Sequence, residues 1–292
     1  MAAITTQSAP APIKRNGLTS VKRPQVAWPT VLLCVAVLAS WGSVAAVAVA
    51  GLVPLWLAAP LMAVLAYGSF TPMHDSAHRS VSRVRWLNAI MGRLCALVLM
   101  APFPAFRWAH LRHHSKTNED HHDPDMWSGG GRRWTLPLRW ATQDLHYYVC
   151  YVRFWSKRPV AERVETVATI LVLIGLISAA VWAGYGLEVL LLWALPTRLA
   201  ITFLAFSFDY LPHHPHGVTS SQDRYRATSV FKELWLTPLF LYQNYHLIHH
   251  LHPGVPFYQY GKVWKERQAQ LLAKGVRPRS IFEGWGKDSQ SE

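Results

Sequence analysis

Cysteine is scarce. Only Cys34, Cys95 and Cys150 occur in 292 residues, far apart in sequence and in mostly apolar surroundings. They form no CxxC pair and no plausible disulfide framework, which argues against cysteine-ligated iron–sulfur and zinc-ribbon sites. The phosphate-cradling patterns GxGxxG and GxxxxGK are missing too, so the chain is not expected to bind a nucleotide itself. Acidic residues are few: 16 against 29 Lys and Arg, a net charge of +13. An excess of that sign could suit nucleic acid. Here the basic residues flank apolar runs, a pattern that marks the cytosolic face of a membrane.

What is present is hydrophobic. Half the residues (51%) are apolar, 14 are Trp, and mean hydropathy is positive. A bilayer core about 30 Å thick needs a helix of about 20 apolar residues. Val31 to Ala50 meets that without one charge, and Leu52 to Thr71 follows after a very short turn, so the two form a hairpin. Thr166 to Tyr185 and Leu187 to Phe208 form a second pair. The last run contains Pro196 and Arg198. An arginine at mid-membrane costs about 2.5–3.5 kcal/mol on insertion scales, so Arg198 should snorkel, face a partner or line a cavity. A weaker run, Ala89 to Phe106, is interrupted by Arg93, Pro102 and Pro104 and reads as an interfacial or re-entrant helix; Phe231 to Tyr245 looks similar.

The first 28 residues are Ala/Pro/Ser-rich and basic, and are expected to be a disordered cytoplasmic tail. The apolar run after them is too long for a signal peptide and continues into a second span, so it reads as a retained anchor. Two hairpins return residues 73–165 and 209–292 to the side of the N-terminus. Of 29 Lys and Arg, 28 fall in these three segments, and Arg198 is the other. This organisation places residues 29–265 in one membrane domain and leaves 266–292 as a cytoplasmic tail. No internal repeat is visible.

All the histidine-rich motifs fall on that same side. They read His74-Asp-Ser-Ala-His78, His110-Leu-Arg-His113-His114 and His246-Leu-Ile-His249-His250. Residues three or four apart share a helix face, so each motif can aim two or three imidazoles at one point. One HxxxH alone is weak evidence; two HxxHH runs beside it are very hard to obtain by accident. Neutral imidazole binds iron, zinc, copper or nickel. A structural zinc needs four ligands and a catalytic zinc three, so eight ordered histidines overshoot one zinc ion. They suit two irons with open positions for O2. Such a pair can supply electrons to cleave O2 and leave an oxidant able to attack an unactivated C–H bond.

Other histidines are less telling. His121 and His122 sit in a polar turn and read as solvated or as neighbours of ligands. His146 lies among tyrosines, which suits a packed amphipathic helix. Pro212-His-His-Pro-His216 directly follows the fourth span and offers a ninth ligand from His213, His214 or His216. Asp75, Asp123, Asp125 and Asp209 are candidate acceptors for imidazole N–H groups.

The HxxxH, HxxHH, HxxHH set, in this order around two membrane hairpins, resembles the membrane fatty acid desaturase/hydroxylase superfamily over about residues 30–265. His110-Leu-Arg-His-His-Ser-Lys-Thr-Asn118, with Asp123-Pro-Asp125, is similar to bacterial-type β-carotene hydroxylases, as is Tyr245-His-Leu-Ile-His-His-Leu-His-Pro-Gly-Val-Pro-Phe-Tyr258. Leu211-Pro-His-His-Pro-His216 resembles both these hydroxylases and carotenoid ketolases. In the superfamily an extra ligand can follow an Asn-x-x-x-His pattern. Asp209-Tyr-Leu-Pro-His213 matches with Asp for Asn, which favours His213.

The resemblance implies two iron ions, O2 as cosubstrate and electrons from a separate ferredoxin or cytochrome b5-type donor. The expected ligands are His74, His78, His110, His113, His114, His213, His246, His249 and His250. The expected fold is an all-α integral membrane protein: four transmembrane helices in two hairpins, with a cytoplasmic helical cap holding the metals. The expected substrate is a long apolar lipid reached from the bilayer, first a carotenoid ring to be hydroxylated, otherwise a fatty acyl chain to be desaturated or hydroxylated. A metal transporter would place histidines inside the spans, and a membrane zinc hydrolase would need fewer histidines and more intramembrane carboxylates.

Overall fold

The computed structural model describes residues 23–283. Most of the predicted N-terminal tail lies outside these residues. Among the described residues the protein is helical, with two isolated bridges and no strand.

Four helices are long and apolar enough to cross a membrane: α1 (Trp28–Val49), α2 (Leu55–Ala77), α6 (Val160–Trp182) and α7 (Gly186–Tyr210). The turn between α1 and α2 closes at Gly51 and that between α6 and α7 at Gly184, both in the left-handed region (φ 74° and 90°). The amide after each glycine returns to a carbonyl five residues back, Leu52 to Val47 and Tyr185 to Ala180. Such C-caps satisfy carbonyls at a helix end, and glycine adopts their geometry without strain.

α2 is the central helix and packs against α1, α3 (Arg85–Val98) and α7. It outruns its predicted end at Thr71 and continues through His74 to Ala77, so this span-forming helix does carry a histidine. Residues 69–77 are all buried. The hydropathy falls where lipid contact ends, but the helix continues because protein surrounds its last two turns. α6 instead starts earlier than predicted, in charged sequence. Glu162 pairs with Arg158 at 2.5 Å, and Glu165 with Arg93 at 2.6 Å. α6 lies mainly against α4 (Phe103–Lys116) and meets α7 near their connecting turn.

The interrupted run becomes α3 and α4, which meet at 102°. Pro102 and Pro104 flank the start of α4, where proline is tolerated because the first helical amides lack partners anyway. α3 leaves from the His74–His78 end of α2, and α4 brings His110 back to 2.7 Å from His78. The pair therefore returns to the side it left instead of crossing, as an interfacial or re-entrant run does. The segment Phe231 to Tyr245 does not behave similarly. It holds only the short helix Leu236–Leu239 and a 3₁₀ turn at Gln243–Tyr245. Arg198 on α7 faces a partner, with Nη1 2.6 Å from Asp144 Oδ1 on α5 (Gln143–Arg153) and 2.6 Å from the Ala141 carbonyl.

Two segments at the expected boundaries are packed against the rest of the chain. Residues 25–27, assigned to the tail by composition, pair with 81–83: Ala27 N–H donates to Val81 O and Arg83 N–H to Gln25 O. Beyond residue 265 the chain is packed, because α9 (Tyr260–Ala273) buries Trp264, Arg267 and Leu271. α9 covers α8 (His246–Leu251), the helix of the third motif, in a cluster with Leu247, Ile248 and Val276. Leu271→Ala should cost about 2–5 kcal/mol of stability, as core truncations do. A thermal melt of the variant in detergent tests this, and an unchanged midpoint would make the segment a tail after all. Finally, Cys34 and Cys95, remote in sequence, meet between α1 and α3 with sulfurs 3.5 Å apart.

Candidate metal centre

Four structural pieces deliver the nine predicted histidines. The C-terminal end of α2 supplies His74 and His78, α4 supplies His110, His113 and His114, the turn after α7 supplies His213, and α8 supplies His246, His249 and His250. They separate into two groups. His74, His78, His110, His114 and His249 form one, and His113, His213, His246 and His250 the other; in each, the ligand atoms lie within 4.8 Å of one another. The rings of His114 and His250 stack at 4.2 Å, so the groups adjoin. The end of α7 is a π-helix, Ala205–Tyr210, whose wider turn precedes the segment that presents His213. His214 and His216 belong to neither group, and His121 and His122 are exposed.

The nitrogen spacings bear on metal binding. In the first group Nε2 atoms stand 3.0 Å apart for His74 and His249, 2.7 Å for His78 and His110, and 2.8 Å for His249 and His114. In the second they stand 3.0 Å apart for His213 and His246, 3.1 Å for His246 and His250, and 3.2 Å for His113 and His250. Imidazole nitrogens bind a first-row metal such as zinc at about 2.0–2.1 Å, which puts neighbouring ligands at right angles about 3 Å apart.

The tautomers point the same way. His113 Nδ1–H donates to Asp123 Oδ1 at 2.9 Å, and His246 Nδ1–H to Gln243 Oε1 at 2.8 Å. The Asn118 amide nitrogen donates to the Val218 and Ala227 carbonyls, so its oxygen is left to accept from His213 Nδ1–H at 3.3 Å. In the neutral form of these three rings Nε2 carries a lone pair, and the lone pairs converge. Neutral acceptors do not hydrogen-bond one another; a cation satisfies all three. The residues present therefore fit a bound metal in each group.

Burial pushes His78, His110, His114, His213, His246, His249 and His250 well below the usual imidazole range, with the neighbouring imidazoles adding to it, so these rings are neutral at pH 7. His113 differs. Burial lowers it, but the carboxylates of Asp123 and Asp125 outweigh burial and lift it to about 9. Burial in turn raises Asp125 to about 6, against the pull of His113.

A pH prediction follows for metal-free protein. The seven lowered histidines take up protons in the unfolded state below about pH 6.5 but not in the folded state. The stability they contribute is present above that pH and lost as pH falls. His113 has the opposite sign: its stabilisation is complete below about pH 6.5 and fades as pH rises through about 9. Asp125, raised to about 6, also gains stability as pH falls, but seven groups outweigh these two, so the melting temperature of chelator-treated protein should fall steadily below about pH 6.5. A flat profile from about pH 8 to pH 5 would contradict the neutral assignment.

Of the four acidic candidates, two touch an imidazole of the two groups. Asp123 and Asp125 flank His113 Nδ1 at 2.9 and 3.3 Å. Asp75 does not: its Oδ2 accepts from both Thr30 and the Phe257 amide, and the nearest approach of Oδ1 to His74 Nδ1 is 3.9 Å, beyond hydrogen bonding. Asp209 accepts from the Tyr147 hydroxyl at 3.4 Å instead of from a histidine. Sequence reasoning missed Gln243, Asn118 and Tyr260, whose hydroxyl lies 2.9 Å from His249 Nδ1. Gln243 sits three residues before His246, one helical turn, which was the available signal.

Comparison with known proteins matches this architecture. Residues 50–282 match the fatty acid desaturase family. The chain belongs to that family. A β-carotene ketolase of Paracoccus sp. (strain PC1) is 34% identical over 70% of this chain and 82% of its own length. An sn-1 oleoyl-lipid 12-desaturase of Picosynechococcus is 29% identical over 82% of this chain and 76% of its own length. A sunflower (Helianthus annuus) relative named as an sn-2 acyl-lipid omega-3 desaturase (ferredoxin) is 24% identical over 70% of this chain and 54% of its own length. This desaturase-family chain is an integral membrane oxidoreductase with a histidine-rich site compatible with metal.

Proposed function

We propose that this desaturase-family protein binds two iron ions, one in each histidine group, and oxidises an unactivated C–H bond of a long apolar lipid with O2. The observation that carries the reading is the convergence of nine imidazoles in two adjoining groups whose spacings suit a coordinated ion. The ligands are His74, His78, His110, His114 and His249 for one iron, and His113, His213, His246 and His250 for the other. When bound, the irons supply the redox chemistry that reduces O2 and oxidises the substrate carbon. Asp123, Asn118 and Gln243 fix the tautomers of three rings, and Asp125 helps hold the His113 proton at Nδ1.

A small cavity of about 50 Å³ lies beside the histidines and would have to widen to admit part of a long lipid. Its walls combine the apolar Phe70, Leu99, Phe106 and Leu204 with the polar Gln143, Asp144, Tyr147 and Asp209. Phe70 stacks on His74 at 5.7 Å and Phe106 on His110 at 5.6 Å, so the cavity wall and the metal ligands share ring contacts. The metal end and both termini lie on the cytoplasmic side, where basic residues gather, and electrons come from a ferredoxin or cytochrome b5-type carrier.

Hydroxylation of a carotenoid ring is the reading supported best: the motif context resembles the bacterial-type hydroxylases, and a β-carotene ketolase is 34% identical to this chain. The second reading, acyl-lipid desaturation or hydroxylation, is favoured by the 12-desaturase relative, which aligns over more of the chain. The test is expression in cells that accumulate β-carotene, with pigments and fatty acids profiled together. New hydroxylated carotenoids are the expected result. Unchanged pigments with new double bonds or hydroxyls on acyl chains would select the second reading.

A further inference from the structure

A second cleft, of about 510 Å³, lies away from the cavity beside the histidines and has a different chemistry. Its walls come from the turn after α7 (His214, Pro215), from residues 225–230 and from residues 275–279. Three arginines line it, Arg226, Arg277 and Arg279, and no carboxylate does. Lys274 adds a further cation 4.8 Å from the ring of Tyr225, another lining residue. Among the described residues, Arg226 and Arg277 make no ion pair and no side-chain hydrogen bond. Glu283 lies near enough to offset part of the Arg279 charge, but concentrating further cations beside it costs energy unless an anion occupies the space.

Two buried donors make the cleft more than a charged surface. Thr228 is 5% exposed, and its hydroxyl has no hydrogen-bond partner. Arg279 Nε is also buried and unpartnered. Both residues line the cleft. A buried polar group left unpaired costs about 1–3 kcal/mol, so such groups generally have a partner. The rest of the Arg279 guanidinium is fixed: Nη1 donates to the His214 carbonyl at 2.5 Å and Nη2 to the Leu211 carbonyl. Nε–H is thus a donor held in place.

We propose that this cleft is a binding site for an oxyanion of the phosphate-monoester type, gripped by Arg226 and Arg277 and oriented by Thr228 Oγ–H and Arg279 Nε–H. Phosphate offers only acceptor oxygens, in a tetrahedral array, to a wall rich in donors. The cleft is larger than a bare phosphate, so the molecule carrying the group has room. That molecule is either a soluble phosphorylated compound or a phospholipid whose head group reaches the end of α7. Arg279 ties the carbonyls of Leu211 and His214, which bracket His213, so occupancy also braces the turn that presents this histidine. The site does not depend on the identity of the oxidised substrate.

The test uses full-length protein in detergent, titrated with inorganic phosphate against chloride at equal ionic strength, with the melting temperature as readout. A parallel arm compares nanodiscs of phosphatidylcholine alone with nanodiscs containing phosphatidic acid. We expect a saturable rise in melting temperature in at least one arm. It should weaken about tenfold in Arg277→Gln, vanish in Arg226→Gln with Arg277→Gln, and weaken in Thr228→Val. A rise with free phosphate identifies a soluble ligand; a rise only with phosphatidic acid identifies the lipid. No rise in either arm, or a rise that the double variant keeps, overturns the proposal. The double variant's own melting temperature in chloride separates loss of binding from loss of fold.

Discussion

His249→Ala should abolish turnover, and His113→Ala should do the same while emptying the other iron site. Each group draws on a different set of helices, so each variant should lose its own ion first: iron per chain should fall from about two toward one, and activity by at least about 10³-fold, since removing even an outer partner of a metal ligand costs about 10–100-fold. His249 is the sharper case. Its Nε2 lies 3.0 Å from His74 and 2.8 Å from His114, so one ring joins the α2 and α4 contributions to the first group. The variant should still insert in the membrane, because insertion follows the apolar runs and the basic flanks, which the substitution leaves alone. Iron analysis of purified protein and product analysis in cells check the two halves separately. Near-normal activity in either variant would sink the ligand assignment. Lost activity with both irons retained would move the histidine from ligand to substrate positioning.

The architecture was legible where a single physical constraint acted on the sequence. Lipid demands about 20 apolar residues per crossing, so α1, α2, α6 and α7 stand out from composition alone. Presenting side chains from a helix to one point demands spacings of three and four, and eight of the nine grouped histidines follow that rule. His213 was harder, because Pro212-His-His-Pro-His216 offers three rings with no helical register to separate them. The structure separates them by placing only His213 Nε2 3.0 Å from His246. Boundaries set by tertiary burial were not legible. α2 runs to Ala77 because protein replaces lipid around its end, and hydropathy cannot see that exchange. Residues 266–283 read as a tail because their apolar positions are few, yet Leu271 and Val276 are buried. The hydrogen-bond partners of the rings were legible only in part. Carboxylates are the obvious acceptors, so Asp75 and Asp209 attracted attention, whereas neutral Asn118 and Gln243 take those roles.

That last difference sets up a contrast between two aspartates that look alike in sequence. Asp123→Ala should lower iron affinity and activity about 10–100-fold, whereas Asp75→Ala should act mainly on stability. Asp123 does three things at once: Oδ1 accepts from His113 Nδ1–H and from the Asp125 amide, and Oδ2 accepts from the Asn118 amide at 2.7 Å. Asn118 in turn accepts from His213. One carboxylate therefore governs two of the four rings in the second group, directly for His113 and through the backbone for His213. Without it, His113 loses the main cause of its raised proton affinity, and its ring can turn Nε2 away from His250. Asp123→Asn keeps an acceptor and the shape but removes the charge, so it should recover part of the iron affinity if orientation dominates and little if charge does. Asp75 joins Thr30 on α1 to the Phe257 amide without a hydrogen bond to any ring. Its loss should cost about 1–3 kcal/mol through unpaired buried groups while leaving iron content near two. Iron stoichiometry and melting temperature, measured together on the three variants, decide the matter. Equal iron loss in Asp75→Ala and Asp123→Ala would mean that the second group is held by general packing, with no special role for the Asp123 contact.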